Sequence, residues 1–218
     1  EIAYVLMASG EVSFYQVKGT ELGVKLSSVA LDVNKTPVSF AKSAPHLGLY
    51  AYGFDDGQVA ILKPSFRVTF PGNKRVITPE ISYPAGETLF QVDEKEQALK
   101  SFAFSRTDES IAVLALTADR RVVFTRFMAE ENFMSGELEW VPVYNELEVD
   151  GRIDELLLSP DNSRAFVRSA NQIYIFNTRN SDDIELIQVL AANAENANLV
   201  TSSLLAGANS LMLASDNG

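Results

Sequence analysis

The chain has 218 residues, 46% of them hydrophobic and 22% charged, and its 29 acidic against 18 basic side chains leave a net charge of −11. Such a surface repels phosphodiester backbones and anionic headgroups, which argues against nucleic acid as a partner. Cysteine is absent, so disulfides, thiolate metal sites and cysteine nucleophiles are excluded. No run approaches the roughly 20 apolar residues that cross a bilayer as a helix.

In chain order, residues 4–7 and 12–15 read as two strands joined by the Ser9-Gly10 turn, and 24–33 as a candidate outer strand. Residues 38–40, 49–53 and 59–62 form the next series, with Asp55-Asp56-Gly57 as the turn. Its outer strand is expected at 68–70 or 89–92, inside a Pro/Gly-punctuated insertion over 64–97. The same order returns in 101–105, 111–116 and 122–125, with 138–144 outermost. It returns again in 156–159, 165–168, 173–176 and 184–189, and begins once more in 203–205 and 211–213. The Asp-Gly, Ser-Gly and Asn turns suit the positive φ of tight hairpins.

The second strands of these units start near positions 3, 49, 111, 164 and 210. Several short strands per unit, at a spacing near 50 residues, predict propeller blades rather than helical repeats. The expected fold is therefore all-β: a β-propeller-like, WD40-like repeat domain of about four blades plus a partial fifth, with units near 1–36, 37–98, 99–152, 153–197 and 198–218. The competing architecture is a sandwich of β-meanders. In each unit the first run is expected innermost. The second is apolar at nearly every position, as in a strand buried on both faces. The third reads as alternating, with Val12 and Phe14 against Ser13 and Tyr15. The first unit lacks its inner run and the last stops after its second strand, which predicts a fragment of a longer chain. The open edges then offer self-association.

Little reads as an active site. The one histidine, His46, sits in a turn. Asp55-Asp56, Asp93-Glu94, Asp108-Glu109, Glu130-Glu131 and Asp182-Asp183 match no calcium-loop spacing and read as turn or solvated-edge acids. No glycine-rich phosphate loop or nucleophile elbow is present. The chain is accordingly expected to be no enzyme, with no catalytic, cofactor-binding or metal-binding residues and no cofactor. A propeller hydrolase would need acids and histidine converging from the first-strand loops, which offer His46, Asp108, Glu109 and Asp161. The loop over 128–137 reads as a long hairpin with Ser135-Gly136 at its tip. Phe133 and Met134, beside charged residues there, are the candidate partner contact.

The stretches IAVLALTADRRVVFTRFMAEENFMSGELEW, IDELLLSPDNSRAFVRSANQIYIFNT and LLAGANSLMLASDNG resemble the long-form permease subunits of bacterial phosphate ABC transporters. The hairpin sequence ENFMSGE is the most specific element. Those proteins carry a large soluble propeller-like insertion near their first transmembrane helix. The resemblance implies a periplasmic, non-catalytic domain of a bacterial inner-membrane protein. It further implies a membrane helix before Glu1, and more propeller plus the permease core after Gly218. The implied partners are the other transporter subunits or the chain's own permease core, in an assembly or regulatory role in phosphate import. A free-standing propeller scaffold for protein–protein contacts is the alternative.

Overall fold

The computed structural model describes residues 2–19, 22–42, 47–131, 134, 136, 138–191, 199–204 and 210–216. Among these the chain is all-β, with every strand pairing antiparallel and none of its sheets closed on itself. The first sheet is β1 (Ile2–Leu6), β2 (Glu11–Gln16) and β3 (Lys25–Ala30). The second is β4 (Ser39–Lys42), β5 (Tyr50–Gly53), β6 (Gln58–Thr69) and β7 (Val76–Ser82), with β8 (Phe90–Gln91) also paired to β6. The third runs β9 (Leu99–Arg106), β10 (Ser110–Thr117), β11 (Val122–Glu131) and β12 (Leu138–Leu147). The fourth runs β13 (Ile153–Leu158), β14 (Arg164–Ser169), β15 (Gln172–Asn177) and β16 (Glu185–Ala191), and β17 (Leu199–Leu204) with β18 (Leu211–Ser215) makes the fifth.

Short strands joined by tight turns produce this meander. In the turn between β5 and β6, Gly57 holds a φ of 76°, and a Cβ there would lie 3.0 Å from Cβ of Asp93 and 3.1 Å from the Gln97 carbonyl. Conformation and space both require glycine at that position.

The sheets stack in chain order, and a separate apolar core lies between each successive pair. Val12, Phe14 and Leu31 meet Tyr52, Phe54, Ala60 and Leu62. Ala51, Val59 and Ile61 meet Phe104, Ile111, Val113 and Phe127. Ala112, Leu114 and Phe124 meet Leu156, Val167, Tyr174 and Phe176. Phe166, Ile173 and Ile175 meet Leu199. A middle strand thus faces two cores: on β10, Ile111 and Val113 serve one and Ala112 and Leu114 the next. Side chains alternate across a strand, so a strand packed on both faces must be apolar at consecutive positions. Burying a side chain such as Leu114, which is fully enclosed, contributes about 1.5–3 kcal/mol. From the second sheet onward the first strands of successive sheets also touch: β4 packs on β9, β9 on β13, and β13 on β17.

Two sequence expectations are corrected. The third strands do not alternate in burial. Val12, Ser13 and Phe14 are all buried on β2, as are residues 122–127 on β11 and 173–176 on β15. In the second sheet, residues 68–69 belong to β6 itself, which runs through Pro64, and β7 pairs with its later half. β5 pairs with β6 only as far as Leu62. Beyond it β6 has a neighbour on one side, where a residue without an N–H can turn its nitrogen to the open edge. Of the other candidate, Phe90 and Gln91 pair with Val59 and Gln58.

Candidate functional site

The turns that enter β10 and β14 lie side by side. Thr107 shapes the first, accepting the Ser110 N–H on its Oγ1 at 3.1 Å. Asn162 shapes the second, in the left-handed region at φ 58°, with its N–H donating to the Ser159 carbonyl at 3.0 Å. Asparagine tolerates that conformation better than most residues. Its Nδ2 donates to Ser110 Oγ at 3.1 Å and so ties the two turns together. Ser105 Oγ, donating to the Pro160 carbonyl at 2.9 Å, adds a second tie.

A cleft of about 530 Å³ opens between these turns, lined among others by Asp108, Glu109, Arg126, Asp161, Asn162 and Arg179. Arg126 rises from the middle of β11 and is 7% exposed. Its Nη1 donates to the Arg179 carbonyl at 2.8 Å and its Nη2 to the Asn162 carbonyl. The guanidinium also lies 5.7 Å from the centre of the Phe124 ring, a cation–π distance. Among the described residues no carboxylate lies within ion-pair distance of it. Burial lowers its pKa, against the opposing field of Asp161. For the Asp161 carboxyl, burial acts upward, and hydrogen bonds from Ser159 and Ser163 outweigh it and hold the pKa below the ordinary value.

Two buried polar atoms here have no hydrogen-bond partner: Nε of Arg126, a donor, and Oδ1 of Asn162, an acceptor. Buried polar groups are nearly always satisfied. Both residues line the cleft, while these two atoms themselves are shielded from solvent.

The structure brings Asp108, Glu109 and Asp161 together in this cleft, whereas His46 lies outside the described residues. No group of three or more His, Cys, Asp or Glu side chains is arranged to hold a metal ion among the described residues. Met134 stands at the end of the β11–β12 hairpin, whose last pair is Glu131 with Leu138, and is 99% exposed. It does not line the cleft, and Phe133 lies outside the described residues. Asp93 is a turn acid, closing a turn with Glu96, but not a solvated one, because it is 1% exposed and ion-paired to Arg121. Sequence reasoning missed Arg126 and Asn162. The available signal for the first was a basic residue inside the apolar run VVFTRF.

No family model matches the chain, and no curated protein matches its sequence. Among solved structures it is similar to a functionally unknown protein from Desulfotomaculum acetoxidans, at 12% identity over 98% of this chain and 78% of that one, with a TM-score of 0.40. It is also similar to Sqt1 from Chaetomium thermophilum, at 13% identity over 89% of this chain and 45% of that one, with a TM-score of 0.45. The chain thus spans under half the length of Sqt1.

Proposed function

We propose that the chain is an arc of a β-propeller, about four blades and part of a fifth, and works as a non-catalytic interaction domain. Sheets stacked in chain order, with the first strands of the second to fifth in contact, support the propeller arrangement. The interaction role rests on one observation: a cleft of about 530 Å³ between two turns, lined by Asp108, Glu109 and Asp161 beside an Arg126 that has no carboxylate within ion-pair distance among the described residues. The two turns that form it leave a volume suited to a partner's extended segment. The acids Asp108, Glu109 and Asp161 around it favour a basic segment. The setting follows from the sequence resemblance: the periplasmic accessory domain of a bacterial phosphate ABC transporter permease, held against other transporter subunits or its own permease core.

Photo-crosslinking in cells from position 109, with position 187 on the outer strand β16 as control, tests this reading. The expected product joins position 109 to a transporter membrane subunit or the permease core, and disappears with Arg126→Ala. A product only with soluble partners favours the free-standing scaffold. Equal labelling from 109 and 187, unaffected by Arg126→Ala, overturns the role of the cleft.

A further inference from the structure

The opposite end of the third and fourth sheets carries a second feature of contrary charge. A pocket of about 550 Å³ is lined by Lys100 at the start of β9, Leu116 at the end of β10, Arg120 in the β10–β11 turn, and Gly151, Arg152 and Ile153 leading into β13. Three of its six lining residues are cationic and none is acidic, on a chain whose net charge is −11.

Most nearby carboxylates are committed to other cations, and one, Asp154, pairs with the pocket's own Arg152. Asp93 takes both Nη atoms of Arg121, at 2.9 and 2.8 Å, and Asp119 takes its Nε at 2.7 Å. Glu146 lies 3.4 Å from Lys95. Asp154 is shared between Arg152 at 3.3 Å and Arg168 at 3.6 Å. Lys100 has a carbonyl partner, that of Ala118 at 3.0 Å. Arg120 has no carboxylate within ion-pair distance among the described residues. Its backbone sits at φ 71°, where glycine or asparagine would be less strained.

We propose that this pocket binds an acidic peptide segment. Its volume falls in the range of about 300–1,000 Å³ typical of sites for molecules with many heavy atoms, well beyond a single inorganic oxyanion. Leu116 and Ile153, both half-buried, supply an apolar wall for a side chain between carboxylates. The three cations stand on separate elements around the mouth, so they meet negative charges spaced along a chain rather than one compact headgroup. Their long stems adjust to that spacing.

Fluorescence anisotropy with a labelled ten-residue peptide alternating Glu and Leu tests the proposal, with the Gln-for-Glu peptide and inorganic phosphate as comparison arms. The acidic peptide binds and the Gln peptide does not, and affinity falls as salt is raised, because exposed charges are screened. Lys100→Ala, Arg120→Ala and Arg152→Ala each weaken binding about two- to fivefold, as exposed ion pairs do. The triple variant weakens it more than tenfold. Lys74→Ala with Arg75→Ala, an exposed basic pair in the β6–β7 connection, leaves it unchanged. All three pocket cations are exposed, so the variants fold, which thermal unfolding checks. Wild-type affinity in the triple variant overturns the proposal, as does an equal loss from the Lys74/Arg75 control. Displacement of the peptide by phosphate at comparable concentration overturns it in favour of a small-anion site.

Discussion

Asp93 and Arg121 form a two-pronged ion pair, Nη1 donating to Oδ1 at 2.9 Å and Nη2 to Oδ2 at 2.8 Å. The Asp93 side chain is 2% exposed and that of Arg121 14%. Oδ2 also accepts the Gln97 N–H at 2.8 Å, and Arg121 Nε reaches Asp119 at 2.7 Å. The pair pins the turn leaving the second sheet to the start of β11. Hydrogen bonding to Asp93 is the chief reason the Arg121 pKa is raised.

Removing Arg121 strands the Asp93 carboxylate, since a lone charge in a poorly solvated place is worse than none. Arg121→Ala is expected to destabilise the fold by about 3–5 kcal/mol, and Asp93→Ala by less, because Arg121 keeps Asp119. Asp93→Ala with Arg121→Ala should cost clearly less than the two single changes added, because the two residues act as one unit. Urea unfolding of the four proteins measures this. Additivity to within about 0.5 kcal/mol would show that the pair is not coupled.

Tyr52 links the first two sheets in a way that depends on pH. It is 2% exposed, and its hydroxyl donates to the Met7 carbonyl at 3.1 Å. Burial pushes its pKa up to about 12, against about 10 in an unfolded chain. The folded state therefore holds the proton longer than the unfolded state. The stabilisation is complete below about pH 10 and is lost as pH climbs through 12. Tyr52→Phe should cost about 1 kcal/mol at pH 8 through the lost hydrogen bond, and should make the fall in stability between pH 10 and 12 shallower. Chemical unfolding across that window decides it, and identical slopes would remove Tyr52 from the alkaline transition.

How much of this was legible in the sequence follows from what each strand packs against. β10 and β14 could be read directly, because strands between two cores are apolar at consecutive positions. The third strands could not. Ser13 and Thr125 look like solvent-facing positions, yet both are buried, Ser13 Oγ lying 3.3 Å from Ser28 Oγ and Thr125 Oγ1 donating to the Val92 carbonyl at 2.6 Å. A small hydroxyl satisfied internally breaks the link between polarity and exposure. β7 was hidden because Pro64 and Pro79 read as strand breakers, while the structure places both where a strand has a free side. Asp108, Glu109 and Asp161 were visible as loop acids. Arg126 was not a candidate, because an arginine in a strand ordinarily marks an outward face. The basic pocket is drawn from positions 100, 120 and 152, and its cations meet only once the third and fourth sheets are side by side.

Gly53 marks a close approach between the second and third sheets. A Cβ at this position would lie 2.5 Å from Ser39 Oγ and 2.9 Å from the Phe102 ring. Ser39 Oγ is held by its bond to the Leu99 carbonyl at 2.5 Å, and the Phe102 ring is packed in the core, so neither yields freely. Gly53→Ala is expected to cost about 1–3 kcal/mol as overpacking, although alanine suits a strand better than glycine. Gly136→Ala, with nothing within 4 Å of the added Cβ but a φ of 72°, separates the two causes. It should cost about 1 kcal/mol from backbone strain alone. Thermal unfolding of both variants tests this. An unchanged Tm for Gly53→Ala would mean that the two sheets part without penalty.

Glu155 fastens the fifth sheet to the fourth. Its Oε2 accepts the Ser202 N–H and Oγ–H, both at 2.8 Å, and Arg168 Nε at 3.1 Å, while Oε1 takes Thr201 Oγ1 at 3.2 Å. Arg168 Nη1 in turn donates to the Leu199 carbonyl at 3.0 Å. The apolar contact is thin by comparison: among the described residues Leu199, 9% exposed, is the one buried β17 residue in that core, Leu211 of β18 packs on it half-buried, and Val200, Met212 and Leu213 are exposed. The charged hydrogen bonds, about 1.5–3 kcal/mol each where well formed, therefore carry much of the attachment. Glu155→Ala should release β17 and β18 as a unit while the third and fourth sheets stay folded, because regions open independently when few buried contacts hold them. Hydrogen exchange read by mass spectrometry should show protection lost across 199–204 and 211–215 and kept across 110–117. Loss spread evenly over both regions would mean that Glu155 supports the fourth sheet itself. Unchanged protection at 199–204 would mean that Leu199 and its neighbours hold the fifth sheet without the carboxylate.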